Sequence, residues 1–352
     1  MIQFGDPSIV KHTLPPSVVG LDALYESMEK CQRSVLWKDS TAHFVLNDLS
    51  QINRLHTELT NGVYAPRKGR RFFIARPKKR EALSISFRDR VYQRSLNDNL
   101  LYPEITKHLI YDNCACQKGK GTDFCRDRLK CHLQRFYRKH GVNGYILQCD
   151  VKGYYPNLKH EVAEAVFYQY LSRPYADEVA KILRSQYSEE TGFLPGSQLL
   201  QLVGIAVLNG LDHFIKEKLK IKHYIRYMDD FILVHEDKEY LAKCREKIEQ
   251  ELGKIGLSLH PTKTRLFPVS RRFKYVGFLF QLTHTGKVLM FVDPKIVKET
   301  RRRLKRLEKS TPILHSKGRY YGGPMQAKEV QEKLLTYKEK ICLSTLFTKM
   351  ES

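Results

Sequence analysis

Apolar residues recur at three- and four-residue intervals through Leu46, Leu49, Ile52, Leu55 and Leu59, and the first 60 or so residues read as mainly helical. Asn61-Gly62 ends that pattern. From Tyr64 to Ser86 the text changes to short strand-like runs, Phe72–Ala75 and Ala82–Ile85, on either side of the basic cluster Arg76–Arg80, which predicts a basic hairpin. Helical spacing returns at 87–101 and 123–139, with the loop Gly119-Lys120-Gly121 between them. Tyr145–Val151 is a short apolar run that reaches an acid, Asp150, and reads as a strand. Helices are expected at 159–171, 175–187 and 198–219, and again at 238–255. Strands are expected at 274–281 and 287–292, followed by a very basic helix from Pro294 to about Lys309 and a last helix after Pro324. No internal repeat is visible.

Within the apolar stretch Tyr224–Val234 sit two adjacent acids, in Tyr227-Met228-Asp229-Asp230. Strand formers on both sides predict a hairpin whose turn carries the acids, because an interior strand would bury both charges at a high cost. Acids on a rigid turn suit a divalent metal. An isolated string of this kind is more often an ordinary solvated turn, since Asp populates turns readily; its context decides.

Charge is the compositional fact that changes the picture. The 352 residues hold 61 Lys plus Arg against 38 Asp plus Glu, a net charge of +23, which calls for a polyanionic partner. Basic runs lie at Arg67–Arg71, Arg76–Arg80, Lys118–Lys120 and Arg301–Arg306, spread as a track for phosphate backbone. Nucleic acid is favoured over an acidic membrane surface, because no amphipathic helix with large exposed apolar residues stands out. No run approaches 18 uninterrupted apolar residues, and the first residues lack a signal-peptide pattern, so a cytoplasmic location is expected. The eight cysteines are expected to be reduced. Cys114, Cys116, Cys125 and Cys131 with His132 invite a zinc hypothesis, but their spacings do not match a CxxC knuckle.

If the strand ending at Asp150 neighbours the hairpin of Asp229 and Asp230 in one antiparallel sheet, the three carboxylates can converge on two magnesium ions. Such a pair of ions activates an attacking 3′-hydroxyl and stabilises a leaving pyrophosphate.

The order of Asp150-Val151-Lys152-Gly153-Tyr154-Tyr155-Pro156, Leu194-Pro195-Gly196-Ser197-Gln198, Tyr227–Asp230, Gly256–Thr264 and Phe273–Phe278 resembles the reverse transcriptases of prokaryotic retroelements. Upstream, Arg76–Arg80, Phe87–Gln93 and Tyr111–Thr122 look like that family's fingers blocks, so the resemblance covers about residues 64–282. It implies an α+β right hand: an N-terminal helical segment at 1–62, fingers with part of the palm at 63–147, a palm with an antiparallel sheet and helices on one face at 148–285, and a short helical thumb at 286–352. It also implies RNA-templated synthesis of DNA from deoxynucleoside triphosphates, on a DNA or RNA primer.

By the same resemblance Asp150, Asp229 and Asp230, with Val151, hold two Mg2+ ions, manganese being an alternative. Tyr155 matches a bulky gate against the ribose 2′-hydroxyl. Its bland reading is a core aromatic, with Tyr154 pointing the other way on a strand. Lys78 and Arg80 match contacts to the incoming triphosphate, and Gln198 and Gln201 lie near the block that packs on template and nucleotide. Lys263 matches a lysine beside the pyrophosphate, able to act as general acid. Val276-Gly277-Phe278 matches the primer grip. Lys118, Lys120, Arg301, Arg302, Arg303, Lys305 and Arg306 are expected on nucleic acid.

The compact length, YMDD, the short thumb and the Cys116–Thr122 loop look most like the enzymes of diversity-generating retroelements. Leu200-Gln201 where that branch has Ser-Gln, and Gln117 where it has arginine, leave the defence-associated reverse transcriptases of bacteria as the competing branch. No nuclease, RNase H or maturase signature is present in the remainder. So small a thumb suggests a structured non-coding RNA or an accessory protein as a further partner. A non-catalytic nucleic-acid-binding scaffold is the reading from another class; three acids in so basic a chain speak against it unless Lys or Arg pairs with them.

Overall fold

The computed structural model describes residues 14–33, 35–75, 79–187 and 189–317, with 307–317 as backbone. The described residues form an α+β structure of helices and three small sheets. Among the described residues, helices α1 (Pro16–Val19), α2 (Leu21–Gln32), α3 (Asp39–Leu46) and α4 (Asp48–Thr60) come first. Asn47 breaks the expected continuous stripe: Ile52, Leu55 and Leu59 are buried on α4, whereas Leu46 and Leu49 are 84% and 76% exposed. The hairpin follows as β1 (Arg70–Ile74) paired antiparallel with β2 (Arg80–Ser84), and every residue of β1 is exposed.

Helices α5 (Phe87–Leu96) and α6 (Tyr102–Thr106) are joined by a π-helical turn at Asn97–Leu101, inside the single helix expected there. Then come α7 (Thr122–His140), β3 (Tyr145–Asp150), α8 (Tyr154–Asn157), α9 (His160–Tyr170), α10 (Arg173–Gln186), α11 (Gln198–Ala206) and α12 (Asn209–His213). The expected helix 198–219 is thus interrupted after Ala206 and ends in a π-helical turn at Phe214–Lys218. Gln198–Lys218 is long and apolar enough to cross a membrane by composition, yet 67% of its most apolar stretch is buried inside the protein, as in a core helix. Tyr154 and Tyr155 lie on α8, not on a strand; Gly153, at φ 54, turns the chain sharply out of β3 and into that helical turn.

The remaining elements are β4 (His223–Tyr227), β5 (Asp230–His235), α13 (Lys238–Lys254), β6 (Arg265–Pro268), β7 (Phe273–Tyr275), β8 (Phe278–Leu282), β9 (Val288–Val292) and α14 (Pro294–Lys317). One four-stranded sheet runs β4-β5-β3-β6, so the strand of Asp150 is the direct neighbour of the YMDD hairpin. Its middle is dry, with Ile146, Leu147 and Cys149 of β3 and Phe231, Ile232 and Leu233 of β5 all below 1% exposure. At roughly 25 cal/mol per Å2 of apolar surface this burial is what fixes the sheet and hence the position of its acids.

Contacts divide the chain into two units, 1–128 with 146–266, and 129–145 with 267–352. The second contains the antiparallel sheet β7-β8-β9, with Phe273 stacked on Phe280. The single strand expected at 274–281 is two strands there, split by a tight turn with Val276 at φ 43 and Gly277 at φ 82. Paired positive φ values define the hairpin turn that matches strand twist, and Gly277 was its sequence signal.

Candidate active site

Strands β4 and β5 pair in the register Tyr227↔Asp230, leaving Met228-Asp229 as a two-residue turn. The turn is pinned to β3, because the Val151 amide donates to the Asp229 carbonyl at 3.3 Å. On the other side of β3, Val151 bridges antiparallel to Leu259, the Lys152 amide donates to the Ser258 carbonyl at 2.9 Å, and the His260 amide donates to the Asp150 carbonyl at 2.7 Å. This clamp carries the 256–264 segment to the end of β3. Lys263 consequently donates from Nζ to both carboxylate oxygens of Asp150, at 2.9 Å each.

Burial, then a hydrogen bond to Asp150 and the charge of Asp229, push the Asp230 carboxyl up to about 7. Asp229 is raised too, by burial and by the charge of Asp150. A site that concentrates acids strongly enough to hold a proton near neutrality is short of positive charge. Lys263 supplies part of it, on the carboxylate a hard cation would take. Three hard oxygen donors with a cation-seeking charge balance fit divalent magnesium or manganese. Among the described residues no three His, Cys, Asp or Glu side chains form a ready-made metal cluster, and at the aspartates Lys263 takes both oxygens of Asp150 instead.

Among the described residues no three of Cys114, Cys116, Cys125, Cys131 and His132 come together as a metal cluster. Cys114 and Cys125 are buried, and Cys116 turns to Met228, its Sγ 3.7 Å from the Met228 Sδ. The seven described cysteines are all free thiols.

Tyr155 is half-buried, its hydroxyl donating to the Leu200 carbonyl of α11 at 3.2 Å, while Tyr154 is fully packed and donates to the Gly204 carbonyl at 2.7 Å. A Cβ on Gly204 would lie 2.3 Å from the Tyr155 hydroxyl oxygen, so this glycine is what lets the ring settle on α11. Gly196, at φ 149, is equally constrained: a Cβ there would meet the Leu83 carbonyl at 1.9 Å, and the neighbouring Pro195 carbonyl accepts from the Leu83 amide. The Leu194–Gln198 segment is thereby held against β2.

A cavity of about 270 Å3 brings Gln198 and Gln201 together with Lys118, Tyr102, Arg94 and Cys116. Lys118 is exposed there, its ammonium 5.1 Å from the Tyr102 ring centroid. Lys120 is turned inward: it donates to the Tyr111 and Asn113 carbonyls, and burial lowers its pKa, so its charge holds the 111–120 loop together. Arg80 is exposed at the start of β2, opposite Ile74, and Lys78 lies outside the described residues. Val276-Gly277-Phe278 and the basic face of α14 belong to the second unit, where Arg301, Arg302, Arg303, Lys305 and Arg306 are all exposed.

One residue that pattern reading passed over is Arg226, a large and fully buried side chain. It forms a two-pronged ion pair with Asp212, also fully buried, Nε to Oδ1 at 2.7 Å and Nη2 to Oδ2 at 2.6 Å. An arginine at an interior position of an apolar strand was the available signal, since such a charge demands a buried partner.

A family model described as reverse transcriptase (RNA-dependent DNA polymerase) matches residues 76–280. The chain belongs to the reverse transcriptase family. That is a family of nucleotidyltransferases, and its domains use divalent metal ions. A search of curated proteins finds no match. Among solved structures, the reverse transcriptase chain is similar to apo telomerase from Candida tropicalis, at 15% identity and TM-score 0.47, over 68% of this chain and 52% of that one. The same telomerase truncated from its C-terminal domain gives 17% identity and TM-score 0.49, over 70% and 60%. Telomerase from Candida albicans in complex with a fragment of telomeric RNA gives 12% identity and TM-score 0.49, over 80% and 55%. The chain thus spans little more than half the length of these structures.

The charge state of the acids carries a prediction for this reverse transcriptase. Asp230 is raised in the folded, metal-free protein, so the folded state binds the extra proton and this group's stabilising contribution is lost as pH rises from its unfolded value of 3.8 through about 7. A divalent ion must displace that proton, so Mg2+ affinity is expected to rise by up to about tenfold per pH unit below pH 7 and to level off above it. Calorimetric Mg2+ titrations at pH 6 and pH 8, in buffers of different ionisation enthalpy, count the proton released. Binding at pH 6 without proton release would show that Asp230 does not hold a proton there.

Proposed function

We propose that this chain is an RNA-directed DNA polymerase that extends a DNA or RNA primer on an RNA template with deoxynucleoside triphosphates. The observation that carries the reading is the arrival of Asp150, Asp229, Asp230 and Lys263 at the ends of β3 and β5 from three separate sequence motifs. In this reading Asp150, Asp229 and Asp230, with the Val151 carbonyl, would hold two magnesium or manganese ions. When bound, such ions make the primer 3′-hydroxyl a nucleophile and neutralise charge on the leaving pyrophosphate. Lys263, which holds both oxygens of Asp150 in the metal-free protein, would supply its ammonium as general acid to the pyrophosphate. The ring of Tyr155, fixed on α11, excludes a 2′-hydroxyl, and Gln198 and Gln201 face the nucleotide or template from the cavity they share. The roles proposed by the family resemblance are triphosphate contacts for Lys78 and Arg80, primer grip for Val276–Phe278, and nucleic-acid contacts for Lys118 and for the arginines and lysine of α14.

The layout that goes with these roles is a right hand, with an N-terminal segment at 1–62, fingers at 63–147, a palm at 148–285 and a thumb at 286–352. Motif order supports a prokaryotic retroelement enzyme, and YMDD with the Cys116–Thr122 loop supports the diversity-generating branch; the location that goes with this reading is the cytoplasm. Leu200 and Gln117 depart from that branch and keep open the second reading, a defence-associated enzyme acting against phage. In this reading a structured RNA or an accessory protein is a further partner. The test is primer extension on a defined RNA template with the four deoxynucleotides and Mg2+. Template-encoded DNA is expected; binding of the duplex without extension in either Mg2+ or Mn2+ would leave the non-catalytic scaffold standing.

A further inference from the structure

Met228 adopts φ 56, a left-handed conformation that a bulky side chain disfavours, at the turn that presents Asp229. Strain of this kind persists only where the surroundings over-determine it. Here the determinant is beneath the turn. Arg226 Nη1 donates to the Met228 carbonyl at 2.8 Å, and Nη2 donates to the Ile205 carbonyl at the end of α11 at 2.9 Å. The other prongs of the guanidinium grip Asp212 of α12, whose Oδ1 also accepts from the Tyr224 hydroxyl at 2.6 Å. Helix α11 is the same helix that receives the hydroxyls of Tyr154 and Tyr155. A single buried cation therefore touches the metal-facing turn and the seat of the gate tyrosine.

We infer that the Arg226–Asp212 pair is a positioning device that sets the Met228-Asp229 turn against α11, so that the acids and Tyr155 keep one fixed relation. The inference rests on the metal-site reading above. Stability alone is a poor reason for the pair: desolvating two charges cancels most of their attraction, and well-packed apolar residues are often as stabilising. A planar fork, by contrast, can hold two carbonyls and a carboxylate in one geometry, which neither lysine nor an apolar side chain can do.

That difference supplies the test. The triple variant Arg226→Met, Asp212→Leu, Tyr224→Phe removes every charged and hydroxyl member of the network and leaves no buried charge unpaired. It is expected to keep a Tm near the parent's while Mn2+ affinity, followed by titration of the paramagnetic ion, falls about 10- to 100-fold, the range seen when groups that orient metal ligands are lost. Arg226→Lys, which keeps the charge and loses the fork, is expected to fall between the two and carries the test if the triple variant does not fold. Parental Mn2+ affinity in a folded variant would overturn the inference. The readout needs no turnover, so a parent that binds Mn2+ but does not polymerise argues against the proposed function and not against the positioning role.

Discussion

Alanine at both Asp229 and Asp230 is expected to lower deoxynucleotide incorporation by on the order of 10³-fold or more, while circular dichroism and gel filtration remain those of the parent. Both acids sit at the tip of a hairpin whose strands are fixed by Ile225, Phe231, Ile232 and Leu233, all essentially buried, so the substitutions leave the packing intact. They also relieve a cluster that burial and mutual repulsion hold above the usual carboxylate range, so the metal-free protein should be no less stable. The loss falls on chemistry because a phosphoryl-transfer step depends on several kcal/mol of metal charge stabilisation, and each 1.36 kcal/mol is about tenfold in rate. The quantity to measure is single-turnover extension on an RNA template at saturating Mg2+. Retention of even a tenth of the parental rate would remove these residues from the reaction.

Tyr155→Ala is expected to erode sugar selectivity by about 10- to 100-fold with much less effect on the deoxynucleotide rate. Excluding one added hydroxyl by shape is worth about 1–3 kcal/mol, which sets that range. The ring is held rather than free: its hydroxyl is tied to Leu200 and its edge rests where Gly204 has no Cβ. Removing the ring loses one weak hydrogen bond and opens space, so a modest fall in Tm accompanies the change. The measurement is the ratio of kcat/KM for a deoxynucleotide and its ribonucleotide. An unchanged ratio would return Tyr155 to the role of a core aromatic. Tyr155 rests on α11 where Gly204 has no Cβ, so in the proposed reading a change in Gly204 should show in the same ratio.

Much of the framework was legible because its signals are local. The acids of YMDD between two apolar runs, the basic hairpin at 70–84, and the helices at 160–170, 173–186 and 238–254 each follow from a repeat of two or of 3.6 within one short window. Local patterns failed where a single residue outweighed them. Asn47 interrupts an apolar stripe and leaves Leu46 and Leu49 in solvent, Gly277 folds one expected strand into a hairpin, and Gly153 converts the Tyr154-Tyr155 segment from strand to helical turn.

By itself, then, the sequence determined the family motifs, the alternation of helices and hairpins, and a charge balance that seeks a polyanion. It also determined which acids stand on a turn, because strand-forming neighbours and charge burial are properties of adjacent residues. Only the tertiary structure decided that β3 lies beside β5, that Lys263 reaches Asp150 across 113 residues, and that Lys120 faces inward while Lys118 does not. It alone decided that Arg226 would be buried under Met228 rather than offered to a phosphate. The reason is that a side chain's pattern says which face it occupies, whereas the partner of a buried charge is fixed by which strands and helices pack together, and that choice is made by the whole core at once.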